Sequence, residues 1–137
     1  MPQDKESGAA GNEFGRTTAP RIAKAIGATG VGSTGNEFRL DSKSIVIKCA
    51  RPKTSSVGVT YKMLDRVEMV LGAFMGNNGV FDVYEITRAD FEAHMRPSRS
   101  KGASAGKVAL VARRTFFELG KRIAQVRLPD TPTGKVD

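Results

Sequence analysis

The sequence predicts a small α/β domain: a mixed β-sheet with flanking helices. Three patterns carry that prediction. Phe38 and Leu40, then Ile45 and Ile47, bracket the polar run "DSKS", which reads as a β-hairpin. "VFDVYEI" at 80–86 is nearly continuous in apolar and β-prone residues, which suits a more central strand. Segments around these strands carry helix caps and apolar residues at three- and four-residue spacing. The chain has 137 residues, 39% of them hydrophobic, which is enough for one domain with a core.

Residues 1–16 are glycine-rich and polar and read as a disordered tail, 17–128 as the domain, and 129–137 as an extended C-terminal tail. The first helix is expected from about Ala19 to Ile26. Thr17 or Thr18 would cap it, Pro20 suits its first turn and Gly27 its end. "GATGVGSTG" at 27–35 then connects to the hairpin. A two-residue turn at Ser42 and Lys43 would pair Leu40 with Ile45, Phe38 with Ile47 and Glu37 with Lys48. Side chains alternate, so Phe38, Leu40, Ile45, Ile47 and Cys49 share the core face. Glu37, Arg39, Asp41, Val46 and Lys48 share the other.

Thr60 can cap a helix whose Met63, Leu64, Val67, Val70, Leu71 and Phe74 form one apolar stripe. Residues 76–79 end it in a turn before the 80–86 strand. Thr87 and Asp90 resemble a capping pair for a short helix ending before Pro97. A basic, glycine- and serine-rich loop follows at 98–107, then a strand at "VALVA" (108–112). Thr115 with Glu118 forms a capping box for a final helix through about Gln125.

The net charge is +8 and it is segregated. Residues 96–127 hold Arg96, Arg99, Lys101, Lys107, Arg113, Arg114, Lys121, Arg122 and Arg127 against one acid, Glu118. The remainder is balanced. Such a concentration implies a polyanionic partner, nucleic acid first and duplex DNA in particular; the plainer reading is a solvated basic face. No apolar run approaches the roughly 20 residues of a membrane span, so no membrane partner is expected. The single cysteine excludes an intramolecular disulfide and fits a reducing, cytoplasmic setting. With one histidine, His94, Cys/His zinc sites are excluded, and any metal must sit on carboxylates, as magnesium does.

Phosphodiester hydrolysis needs carboxylates for a metal, a cation for the nucleophile or the developing charge, and basic groups for the backbone. A hairpin carrying Glu37 and Lys48 on one face supplies the first two. At this point the order helix, hairpin ending in "IVIKCA", helix, strand resembles the core of the PD-(D/E)XK nuclease superfamily over residues 19–86. The resemblance implies a restriction-endonuclease-like core and a magnesium ion (Mg2+) held between an acid on one strand and an acid-x-lysine on the next. Glu37 takes the first acid's place and Lys48 the lysine's. Val46 stands where the pattern has its second acid, leaving Asp41, Asp65 or Glu68 to supply it. Arg51 and Lys53 would extend the site. Arg99, Lys101, Lys107, Arg113, Arg114 and Lys121 would hold the backbone.

The expected function is therefore a metal-dependent DNA endonuclease. A non-catalytic nucleic-acid-binding module of the same fold stays open, as does a homo-oligomer. A third reading is a basic protein–protein adaptor, which would expose an apolar patch near Phe116 or Phe117. For Glu37 and Lys48 the bland reading is a cross-strand ion pair, worth about 0.2–1 kcal/mol. "GASAGKV" at 102–108 departs from the spacing of a phosphate-binding loop, so nucleotide hydrolysis is rejected; it can still grip a phosphate through backbone N–H groups. Tyr61 and Tyr84 alone make no aromatic platform for single strands.

Overall fold

The computed structural model describes the backbone of residues 2–31, 37–76, 78–97 and 107–128, with side chains from Phe14 onward. Helix α1 spans Pro2–Ile26, so it starts far upstream of the expected Ala19. Thr17 and Thr18 lie inside it and do not cap it; Thr17 Oγ1 donates to the Phe14 carbonyl, and Thr18 is buried. The predicted end holds. Gly27, at φ 86°, sits in the left-handed region, and Ala28 N donates back to the Ala23 carbonyl at 2.8 Å. That is a glycine-terminated helix cap.

Strands β1 (Thr29–Gly30), β2 (Glu37–Leu40) and β3 (Lys43–Ala50) form an antiparallel meander. β4 (Ser56–Thr60) and the one-turn helix α2 (Tyr61–Leu64) carry the chain over to β5 (Met69–Met75), which lies parallel to β3. β6 (Val80–Thr87), α3 (Arg88–His94), β7 (Arg96–Pro97), β8 (Val108–Ala112), α4 (Arg113–Leu119) and β9 (Lys121–Arg127) complete the described chain. The main sheet runs β1-β2-β3-β5-β6-β9, and β4-β8-β7 form a second, antiparallel sheet. The fold is thus mixed α/β, as expected.

Two predicted helices give way to strands. Thr60 does cap a helix, accepting from Met63 N at 3.1 Å, but α2 ends at Leu64. "MVLGAFM" is strand β5. Its apolar residues point both ways, Leu71 and Ala73 into one core and Val70 and Phe74 into the other. A strand buried on both faces reads as a continuous apolar run, which periodicity cannot separate from a helix. The final helix also stops early. Thr115 and Glu118 form no capping box: the cap is Ala112, without a side-chain bond, and Glu118 pairs with Arg114. Gly120 ends α4 at a place where a Cβ would stand 2.5 Å from the Phe116 carbonyl. By contrast, Thr87 Oγ1 accepts from Asp90 N at 3.0 Å and caps α3 as predicted.

The main sheet is buried on both sides. α1 covers one face through Phe14, Ile22, Phe38, Ile45, Ile47, Leu71 and Phe81. The second sheet and the short helices cover part of the other through Val46, Val59, Leu64, Phe74, Phe91, Val111 and Phe116.

Candidate nucleic-acid interface

The hairpin turn falls on Asp41 and Ser42, at φ 52° and 70°, and not on Ser42 and Lys43. Both central residues are left-handed, the geometry that matches the twist of paired strands. The pairs become Leu40 with Lys43, Phe38 with Ile45 and Glu37 with Val46. Glu37 and Lys48 are therefore not direct cross-strand partners. Moving a turn by one residue moves every partner by two, so the faces survive. Phe38, Leu40, Ile45, Ile47 and Cys49 all meet the α1 core, as expected.

Glu37 and Lys48 share the opposite face but do not meet. Arg66, just after α2, donates Nε and Nη2 to Glu37 Oε1 at 3.2 and 3.0 Å. The Glu37 side chain is only 11% exposed beneath this guanidinium. Lys48 is half-buried, with Val46 and Ala50 beside it on its strand and Gly72 across from it on β5. Among the described residues no carboxylate pairs with it. Burial lowers its pKa, an effect that the neighbouring Cys49 partly opposes.

The other carboxylates expected around a metal are dispersed. Asp41 is exposed at the hairpin tip. Glu68 immediately precedes β5, beside the start of β3, where its carboxylate accepts from Ser44 N at 3.5 Å. Ser44 precedes Lys48 by four strand positions, about 13 Å. Asp65 caps α2, and its carbonyl accepts from Arg88. A cleft of about 620 Å³ near Ser44 gathers Asp65, Arg66, Glu68, Arg88 and Glu92, and its arginines are committed to Glu37 and Glu92. Val46 is fully buried where the second acid would stand. No group of three or more metal-ligating side chains forms among the described residues. On the hairpin, Glu37 is bound by Arg66 and the apolar Val46 stands at the position of the second acid.

The basic residues distribute over several elements. Arg51 lies 4.5 Å over the Phe14 ring, on the α1 side, while Lys53 is exposed in the turn after β3. Arg113 is committed to the fold: its Nη1 donates to the carbonyls of Arg51, Pro52 and Thr54 at 2.8–3.0 Å. Arg114 pairs with Glu118 on the exposed side of α4. Lys107 and Lys121 are exposed at the starts of β8 and β9. Arg99 and Lys101 lie outside the described residues.

One row was not foreseen. β9 is an edge strand, and its pairing with β6 slips between Val83 and Tyr84, leaving Ile123 as an extra residue. The bulge places Arg122, Gln125 and Arg127 on one face, opposite Tyr84, Asp82 and Val80. All three are exposed. Arg122 and Gln125 both donate to Asp82 Oδ1, at 3.5 and 2.8 Å. Beside this row stand the rings of Phe74, Tyr84 and Phe117, with centroids 4.9–6.2 Å apart. Plain alternation in "KRIAQVR" sets Arg122 opposite in face to Gln125 and Arg127, so the row depends on the bulge and no sequence signal announces it. Phe117 and Leu119 are the exposed large apolar side chains among the described residues, each 45% exposed.

His94 is exposed at the end of α3, with Nδ1 3.1 Å from the Asp90 carbonyl oxygen. Cys49 packs half-buried against the α1 core, and burial pushes its thiol up to about 12. No protein-family model matches the chain, and no curated protein matches it significantly.

Proposed function

We propose that the chain is a nucleic-acid-binding module on a restriction-endonuclease-like core, gripping the phosphate backbone along β9. The observation that carries this is the exposed row Arg122, Gln125 and Arg127 on the open face of the edge strand. Guanidinium groups bind phosphate oxygens through paired N–H donors, and a side-chain amide adds a neutral contact. The spacing along an extended strand matches a polymer better than a small ligand. The core reading draws support from the antiparallel meander, the parallel β3–β5 pair and a lysine near the end of β3.

The experiment is binding of a short labelled DNA duplex, followed by anisotropy. Reversing Arg122 and Arg127 to glutamate should weaken binding across all sequences alike. Binding that survives both reversals would remove β9 from the account. Arg113 is unsuitable for such a test, because its reversal would break the turn after β3.

A second reading, metal-dependent cleavage, is favoured by Lys48, a half-buried lysine with no described carboxylate partner, on the same face as Glu37. The buried Val46 and the Arg66-bound Glu37 oppose it. Plasmid nicking with magnesium or manganese that disappears in Lys48→Ala, while binding persists, would establish it. Intact binding with no nicking leaves the binding module.

A further inference from the structure

We infer that Phe117, backed by Tyr84 and Phe74, is a stacking platform for an unpaired nucleobase on a strand whose phosphates run along β9. The inference rests on the nucleic-acid reading and deepens it, by naming single-stranded or locally opened nucleic acid as the ligand.

The aromatic cluster is built against Gly72 of β5. A Cβ there would stand 2.6 Å from the Phe74 ring, so the bare backbone of Gly72 makes room for that ring. Phe74 is buried and touches Phe117 and Tyr84, at 5.1 and 6.2 Å between centroids. Tyr84 meets Phe117 at 4.9 Å. The Arg113 guanidinium lies 5.2 Å from the Phe74 centroid and 5.8 Å from that of Phe117, while three backbone carbonyls hold it in place. The ring is thus fixed before any ligand arrives, which lowers the entropy cost of stacking. Yet Phe117 stays 45% exposed.

Charge decides the occupant. Arg113 and Arg114 lie on the turn of α4 before Phe117, and Arg122 sits across from Tyr84 on the neighbouring strand. Glu118 and Asp82 are the opposing carboxylates, each already met by an arginine. An apolar ring ringed by guanidinium groups suits a flat aromatic attached to an anion, which describes a nucleotide. A purely apolar protein partner would leave those cations desolvated.

The chain contains no tryptophan, so Phe117→Trp installs a single fluorescent reporter. Its emission should be quenched by a single-stranded oligonucleotide and not by an abasic strand with the same number of phosphates. Phe117→Ala should weaken single-strand binding about tenfold, within the range for one stacked base, and leave duplex affinity unchanged. Equal binding of normal and abasic strands, or equal losses on single strand and duplex, would overturn the platform while phosphate binding stands. Failure of the unmodified protein to bind any nucleic acid would instead remove the reading beneath it. Concentration-dependent dimerisation abolished by Phe117→Ala would also overturn the platform, by assigning the face to a second copy of the chain.

Discussion

Lys48 is half-buried on β3, beside the buried Val46 and Ala50 and across from the bare backbone of Gly72, and desolvation penalises its charge. The consequence for stability has a definite sign. Burial lowers the folded-state pKa of Lys48 below its ordinary value of 10.5. Below the folded pKa both states carry the charge, and the folded state bears the full cost of desolvating it. Between the folded and unfolded values the unfolded chain binds the proton and the folded chain does not, so this lysine's contribution to stability rises with pH. Lys48→Met should therefore be more resistant to urea than the parent at neutral pH. The advantage should shrink as pH climbs through the window and level off above 10.5. A Lys48→Met protein less stable at neutral pH would show that the ammonium has a favourable partner. Cys49, next along the strand, was placed correctly from alternation alone. Its protonated thiol should label slowly under native conditions; rapid labelling would contradict the assigned face.

Among the elements, the hairpin shows what a sequence can and cannot fix. The faces of β2 and β3 were legible because a two-residue period is insensitive to a one-residue shift of the turn. The partner of Glu37 was not, because the choice between Asp41-Ser42 and Ser42-Lys43 rests on left-handed backbone that neither pair advertises as Asn-Gly does. Ser42→Gly should thus stabilise the fold by about 0.5 kcal/mol. Left-handed serine costs roughly 1–2 kcal/mol, and the added freedom of unfolded glycine offsets part of the gain. A lower urea midpoint for this variant would argue against the turn. Caps were legible at Thr60 and Thr87 but not at Thr17, Thr18 or Thr115, which lie inside α1 and α4. Lengths were not: β5 is apolar on both sides, and α4 yields to β9 at Gly120, so two strands were read as helix. The row on β9 and the aromatic platform were lost with them. Phe74, Tyr84 and Phe117 come from three elements that only the sheet order brings together.

For the whole molecule, charge segregated in sequence is partly dispersed in space. Arg113 secures a turn, Arg114 pairs with Glu118, and Arg51 stacks on α1. Arg127 and Arg122, the latter 3.5 Å from Asp82, share one exposed face of the edge strand and are the pair proposed to follow a polyanion along a single element. The most direct test of that claim is the salt dependence of duplex binding, compared between the parent and the Arg122→Gln/Arg127→Gln variant. Neutral glutamine keeps the polar contact and removes the charge. Each lost phosphate contact should flatten the log–log slope by about 0.9, so the double variant should fall short of the parent slope by about 1.8. Identical slopes in the two proteins would contradict the account and place the phosphate contacts elsewhere on the chain.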